Sequence, residues 1–159
     1  MDRFTLDEQL WTLRVPMLRL AASILRHPQN AEDAVSAAVV TAYRRIGSLR
    51  NDGAFRPWMM RITANCCYDL LRKEKKERTL VQSAEPLTLF EETQDSLMET
   101  LQRLPRPMAQ VLTLYYYENF STAEIAHILN IPAATVRMRM ARGRKQLKTI
   151  LEQEEVQWL

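Results

Sequence analysis

The chain has 159 residues, 47% of them hydrophobic and 26% charged, with three glycines, which describes a globular all-α protein of one domain or two small ones. No stretch approaches the ~20 apolar residues of a membrane span, and Asp2, Asp7 and Glu8 break the basic-then-apolar layout of a signal peptide, so a cytoplasmic protein with no membrane insertion is expected. Its net charge of +3 is modest and so excludes a uniformly basic or acidic chain; only the distribution of charge can point to a partner.

In chain order, Thr5 and Glu8 have the spacing of a capping box at the start of a first helix, whose apolar stripe begins at Leu6, Leu10 and Leu13. Pro16 is expected to kink or restart that helix, which continues through Met17, Leu20, Ala21, Ile24 and Leu25 and ends at His27-Pro28. Asn30 is the expected cap of a second helix, with Glu32 and Asp33 in its first turn, where negative charge suits the dipole. This helix runs to about Ile46 and stops at Gly47, and Ser48 to Ala54, with Asn51, Asp52 and Gly53, reads as a loop.

A third helix runs from about Phe55 to Glu77, with Trp58, Ile62, Cys66 and Leu70 toward one face. The basic run from Arg72 to Arg78 at its end complements the helix dipole; contact with nucleic acid is the second reading. Cys66 and Cys67 point about 100° apart on a helix, so they do not bond to each other. His27 and His127 lie too far off in sequence to complete a metal site, and the cysteines read as core residues. No cofactor is expected.

Residues 81–100 then hold five acids and no base, and the stretch from Thr79 to Thr93, with Pro86, reads as an acidic linker of ~15 residues spanning about 20 Å. Two short helices follow, at about Gln94–Arg103 and Pro107–Glu118. Ser121 and Glu124 form a second capping box, Ile125, Ala126, Ile128 and Leu129 mark one apolar face, and Asn130 with Pro132 makes the turn into a last helix.

On that last helix Val136, Met140, Gly143 and Leu147 share the buried face. A rotation of about 100° per residue puts Ala134, Met138, Ala141, Arg142 and Lys145 on the exposed side. Arg137, Arg144 and Lys148 flank that side on one edge, Thr135 and Arg139 on the other. Six positive charges and no acid lie between Arg137 and Lys148. A small-residue stripe edged by guanidinium groups fits a DNA major groove, where bases approach the short side chains and charges meet phosphates or guanine edges. The expected interface with DNA is therefore Ala134, Thr135, Arg137, Met138, Arg139, Ala141, Arg142 and Lys145.

An enzyme is not expected: the sequence has no glycine-rich phosphate loop, no metal-ligand cluster and no nucleophile with a base motif. Glu32-Asp33 read as helix-start acids.

Three segments occur in order: NAEDAVSAAVVTAYRRI, LRNDGAFRPWMMRITANCCYDLLRKEKK, and LQRLPRPMAQVLTLYYYENFSTAEIAHILNIPAATVRMRMARGRKQL. With them the chain resembles a bacterial RNA polymerase sigma factor of the extracytoplasmic-function class, from about Pro16 to Ile150. The resemblance implies two helical domains: a region 2-like unit over 1–78, the linker over 79–93, and a region 4-like helix-turn-helix unit over 94–159. It implies core RNA polymerase and promoter DNA as partners, with an anti-sigma protein as the inhibitor.

By the same resemblance Glu32, Asp33, Val35, Ser36 and Val39 fall where the family docks on the polymerase clamp. The loop from Ile46 to Ala54, with Ile46, Ser48, Leu49 and Asn51, falls where a flipped base of the minus-10 element is captured, and Asn65 matches a position near that pocket. Arg137, Met138 and Arg142 fall where the minus-35 element is read; the helical rotation agrees for Met138 and Arg142 and leaves Arg137 at the edge, where a phosphate contact is equally open. The chain departs from the family pattern at Ser36-Ala37, often Gln-Glu; at Met138, commonly serine; and at Tyr115, an arginine in some members. The Ser36-Ala37 change is the best argument for the alternative, a helix-turn-helix regulator that does not engage polymerase.

Overall fold

The computed structural model describes residues 1–76 and 95–157; the expected linker lies outside them. Seven α-helices and two short 3-10 turns, Ile46–Ser48 and Asp52–Ala54, make up the described residues, which contain no strand. The N-terminal group is α1 (Arg3–Leu25), α2 (Pro28–Arg45) and α3 (Phe55–Lys76). The C-terminal group is α4 (Ser96–Leu101), α5 (Arg106–Tyr116), α6 (Thr122–Leu129) and α7 (Ala133–Gln157).

Two helix starts and one expected break differ from the sequence reading. The cap of α1 is Asp2, whose carboxylate accepts from Thr5 N–H at 2.7 Å, not Thr5. Thr5 and Glu8 had the right spacing, but an earlier carboxylate claims the same orphan amide. Pro16 lies inside an unbroken α1 rather than restarting it. The cap of α2 is His27, whose Nδ1 accepts from Asn30 N–H at 3.3 Å, with Pro28 as the first helical residue. Asn30 instead donates its side-chain amide to Glu74 on α3, and Glu32 and Asp33 move beyond the first turn.

The buried face of α2 is built from alanine alone: Ala31, Ala34, Ala38 and Ala42. Such a stripe lets α2 lie close against α1 and α3, so its larger apolar side chains point outward. Helix α3 buries Phe55, Met59, Met60, Ile62, Thr63, Ala64 and Cys67, a broader face than the four positions read from sequence. Cys66 and Cys67 are free thiols, half-buried and buried, and burial raises the pKa of both, keeping them protonated.

The two groups do not stand apart. Helix α1 packs on α5 and α3 packs on α6, and buried apolar residues of both groups join one contiguous core.

Candidate nucleic-acid interface

The helix-turn-helix forms as its sequence dictates. Ser121 Oγ accepts from Glu124 N–H at 3.1 Å while Glu124 accepts from Ser121 N–H at 3.0 Å, so both bonds of the capping box are made. Asn130 takes the left-handed conformation, φ 55°, that ends α6, and Ile131 N–H reaches Ala126 O at 3.0 Å.

The position of α7 is fixed at Gly143. A Cβ there would meet Leu112 Cδ1 at 2.8 Å and Met108 Cβ at 3.2 Å, so the missing side chain lets α7 rest directly on α5. Val136 and Met140 are buried on the same face, and Leu147 is half-buried.

Opposite that face, Ala134, Arg137, Met138, Ala141, Arg142 and Lys145 are exposed, and Thr135 and Arg139 are half-buried at its edge. Met138 shows 44% of its surface, an unusual exposure for a methionine beside two free guanidinium groups. Arg144 is held more firmly. Its Nε donates to Tyr116 Oη at 2.8 Å and its guanidinium lies 5.3 Å from the Tyr115 ring centre and 5.7 Å from that of Tyr116. The two rings meet edge to face at 5.1 Å. Arg144 thus brings a positive charge to the place where Tyr115 supplies none. Sequence reading had Arg144 only as a flanking charge; its pairing with an aromatic dipeptide 28 residues earlier has no local signal.

The loop between α2 and α3 splits its residues. Ile46 and Leu49 are half-buried and packed against the core, anchoring the loop, whereas Ser48 and Asn51 are exposed. Ser48 Oγ donates to Arg45 O at 2.7 Å, closing the end of α2. Asn65 is exposed on α3 and lines a cleft of ≈ 450 Å³ with Thr41, Arg45, Tyr68 and Arg72. Leu129 and Asn130, from the turn of the helix-turn-helix, line the same cleft.

The outer face of α2 carries the third cluster. Asp33 and Ser36 are exposed, and Glu32, Val35 and Val39 are half-buried. Burial, then the neighbouring Asp33, raises the pKa of Glu32 above the usual carboxylate range. Val40 and Tyr43, 50% and 40% exposed, extend this face with apolar surface. Sequence reading passed over both; rotation away from the alanine stripe would have found them. No helix among the described residues is long and apolar enough to cross a membrane.

Residues 12–77 match the family model described as Sigma-70 region 2, and residues 94–147 match Sigma-70, region 4. The chain is 31% identical over 154 residues to the ECF RNA polymerase sigma factor SigM of Mycobacterium tuberculosis, covering 94% of this chain and 79% of that protein. It is 30% identical over 149 residues to the ECF sigma factor SigW of Bacillus subtilis, covering 82% and 80% respectively. Two solved structures share the fold. The sigma factor RpoE in complex with the anti-sigma factor NepR from Bartonella quintana aligns with a TM-score of 0.72 at 22% identity, over 91% of this chain and 96% of that one. CnrH in complex with the cytosolic domain of CnrY aligns with a TM-score of 0.68 at 23% identity, over 95% and 90%.

Proposed function

The chain belongs to the extracytoplasmic-function class of sigma-70 factors, and from that premise we propose how its surfaces divide the work of a promoter-specificity subunit. It binds core RNA polymerase and directs transcription initiation at promoters. The outer face of α2, with Glu32, Asp33, Val35, Ser36 and Val39, docks on core enzyme, and Val40 and Tyr43 widen the contact. Apolar surface there offsets the polar groups absent at Ser36-Ala37, because removing it from water favours association.

The loop residues Ser48 and Asn51, with Asn65, receive a flipped base of the minus-10 element, while Ile46 and Leu49 hold the loop in place. Helix α7 reads the minus-35 element: Met138 and Arg142 face base edges, and Arg137, Arg139 and Lys145 meet phosphates. Ala134, Thr135 and Ala141 leave room for the bases. Residues 1–78 and 94–159 are the two working units, joined by the acidic segment 79–93, which the DNA repels. The protein works in the cytoplasm, performs no catalysis of its own, and is held inactive by an anti-sigma protein.

The observation that carries this reading is the one-sidedness of α7, exposed guanidinium groups over a fully apolar back. The test is run-off transcription with core polymerase and promoter fragments. Initiation at defined start sites is expected only when the chain is added. Duplex binding without any direction of core enzyme would identify a plain regulator instead.

A further inference from the structure

Arg144 stands at the edge of the reading face of α7, and its side chain is already fixed in place. Its Nε donates to Tyr116 Oη at 2.8 Å, and its guanidinium lies 5.3 Å from the Tyr115 ring centre and 5.7 Å from that of Tyr116. The tyrosines brace each other, meeting at 5.1 Å with their planes 87° apart. Both rings are exposed, 36% and 46%, and Arg144 is exposed with them. Among the described residues no carboxylate pairs with Arg144, and neither of its terminal nitrogens has a protein acceptor.

Such a bracket adds little to folding. Cation–π contacts at exposed sites are weak, and α7 is already seated on α5 through Gly143 on its buried face. What the bracket changes is the arginine itself. A free arginine on a helix surface samples many rotamers and loses them when it binds. Here one hydroxyl and two rings remove much of that freedom in advance, and both Nη groups stay open as donors.

Position and charge then select the ligand. Arg144 lies seven residues, about two turns, beyond Arg137 on the same edge, with Lys148 one turn further. That edge flanks the centre line of Ala134, Met138, Ala141 and Lys145. A helix laid in a groove meets base edges along its centre and phosphates along its flanks. The tyrosines also line a shallow concavity of ≈ 370 Å³ with Asn119 and Glu124. The Glu124 carboxylate disfavours an anion inside it, so the contact falls on the α7 side of the rings.

We propose that Arg144, bracketed by Tyr115 and Tyr116, is a preset clamp on one phosphate of the DNA backbone, gripping it through the paired Nη groups and adding affinity without sequence preference. The inference rests on the reading that α7 meets duplex DNA. Tyr116 is then a positioning residue, acting through Arg144 rather than on DNA.

Titration of the full chain against a duplex of random sequence tests it, because a phosphate contact needs no cognate site. Binding is followed from about 50 to 200 mM salt, where each phosphate contact contributes about 0.9 to the slope of log affinity against log salt. Arg144→Gln should weaken binding severalfold at the low end and reduce the slope by about 0.9. Arg144→Lys should keep the slope and still bind more weakly, since an ammonium lacks the planar fork. Tyr116→Phe keeps the ring and removes only the hydroxyl, so it should weaken binding by about two- to fivefold with the slope unchanged. Added to Arg144→Gln, Tyr116→Phe should have no further effect. All the replaced side chains are exposed, and circular dichroism checks that each variant is folded. A slope in Arg144→Gln equal to wild type, or an equal loss from Tyr116→Phe with and without Arg144, would overturn the inference and leave the bracket a tie between α5 and α7. Arg137→Ala separates that failure from failure of the reading beneath it. If Arg137→Ala weakens duplex binding and Arg144→Gln does not, only the clamp is rejected; if neither does, α7 is rejected as a duplex-binding helix as well.

Discussion

Arg142 and Asp95 show how differently single side chains contribute. Arg142 is exposed, and its worth lies in what it meets on DNA. If it reads a guanine edge, Arg142→Ala should weaken binding to cognate duplex by about 1–3 kcal/mol and to random duplex far less. Titrating both duplexes at one salt concentration checks this; an equal loss on both reduces Arg142 to a phosphate contact. Asp95 works inside the fold, accepting from Met98 N–H at 2.8 Å and from the Tyr117 hydroxyl. Tyr117 first, then the Met98 amide, holds its carboxyl below the ordinary 3.8. A lowered folded pKa means that the stabilisation is complete above 3.8 and lost as pH falls through the folded value. Asp95→Ala should therefore cost about 0.5–2 kcal/mol in urea denaturation at neutral pH, and the gap to wild type should narrow in strong acid. At this scale the sequence is legible where a motif is local. Ser121, Glu124 and Asn130 act as their spacing says, whereas Asp2 and His27 displaced equally plausible caps only because chain entry geometry chose between neighbours.

At the scale of elements, each recognition surface depends on a helix whose back is cut to fit. Gly143→Val would drive a branched side chain into Leu112 and Met108, where even a Cβ is too close. It should destabilise the chain by about 1–3 kcal/mol, read as a lower urea midpoint, and should loosen α7 from α5 enough to weaken duplex binding as well. A midpoint equal to wild type would mean that α7 shifts freely and that the contact is not what seats it. All seven helices could be read from periodicity and punctuation, but the last runs on to Gln157, beyond the stretch Val136 to Lys148 that the sequence pattern marks. The outer apolar surface of α2 could not, because Val40 and Tyr43 gain meaning only once alanines are known to form the inner face.

For the whole molecule the decisive fact is closure, and no pattern in the sequence announced it. An apolar stripe on α1 or α3 leaves a periodic trace, but which distant helix covers it leaves none. Function at this scale should separate binding from strand opening. Ser48→Ala with Asn51→Ala removes exposed polar groups and spares the anchors Ile46 and Leu49. Formation of the initial complex should survive, while permanganate reactivity of unpaired thymines falls by about tenfold or more, a loss of ~1.4 kcal/mol or above. Full reactivity would reduce the loop to a connector.

The outward-facing reading helix has a consequence for time. If α7 reads duplex as proposed, it can touch DNA while the N-terminal group stays packed behind it, so a search would proceed by many brief contacts through one helix. The rate of leaving, more than the rate of landing, would then separate one duplex site from another.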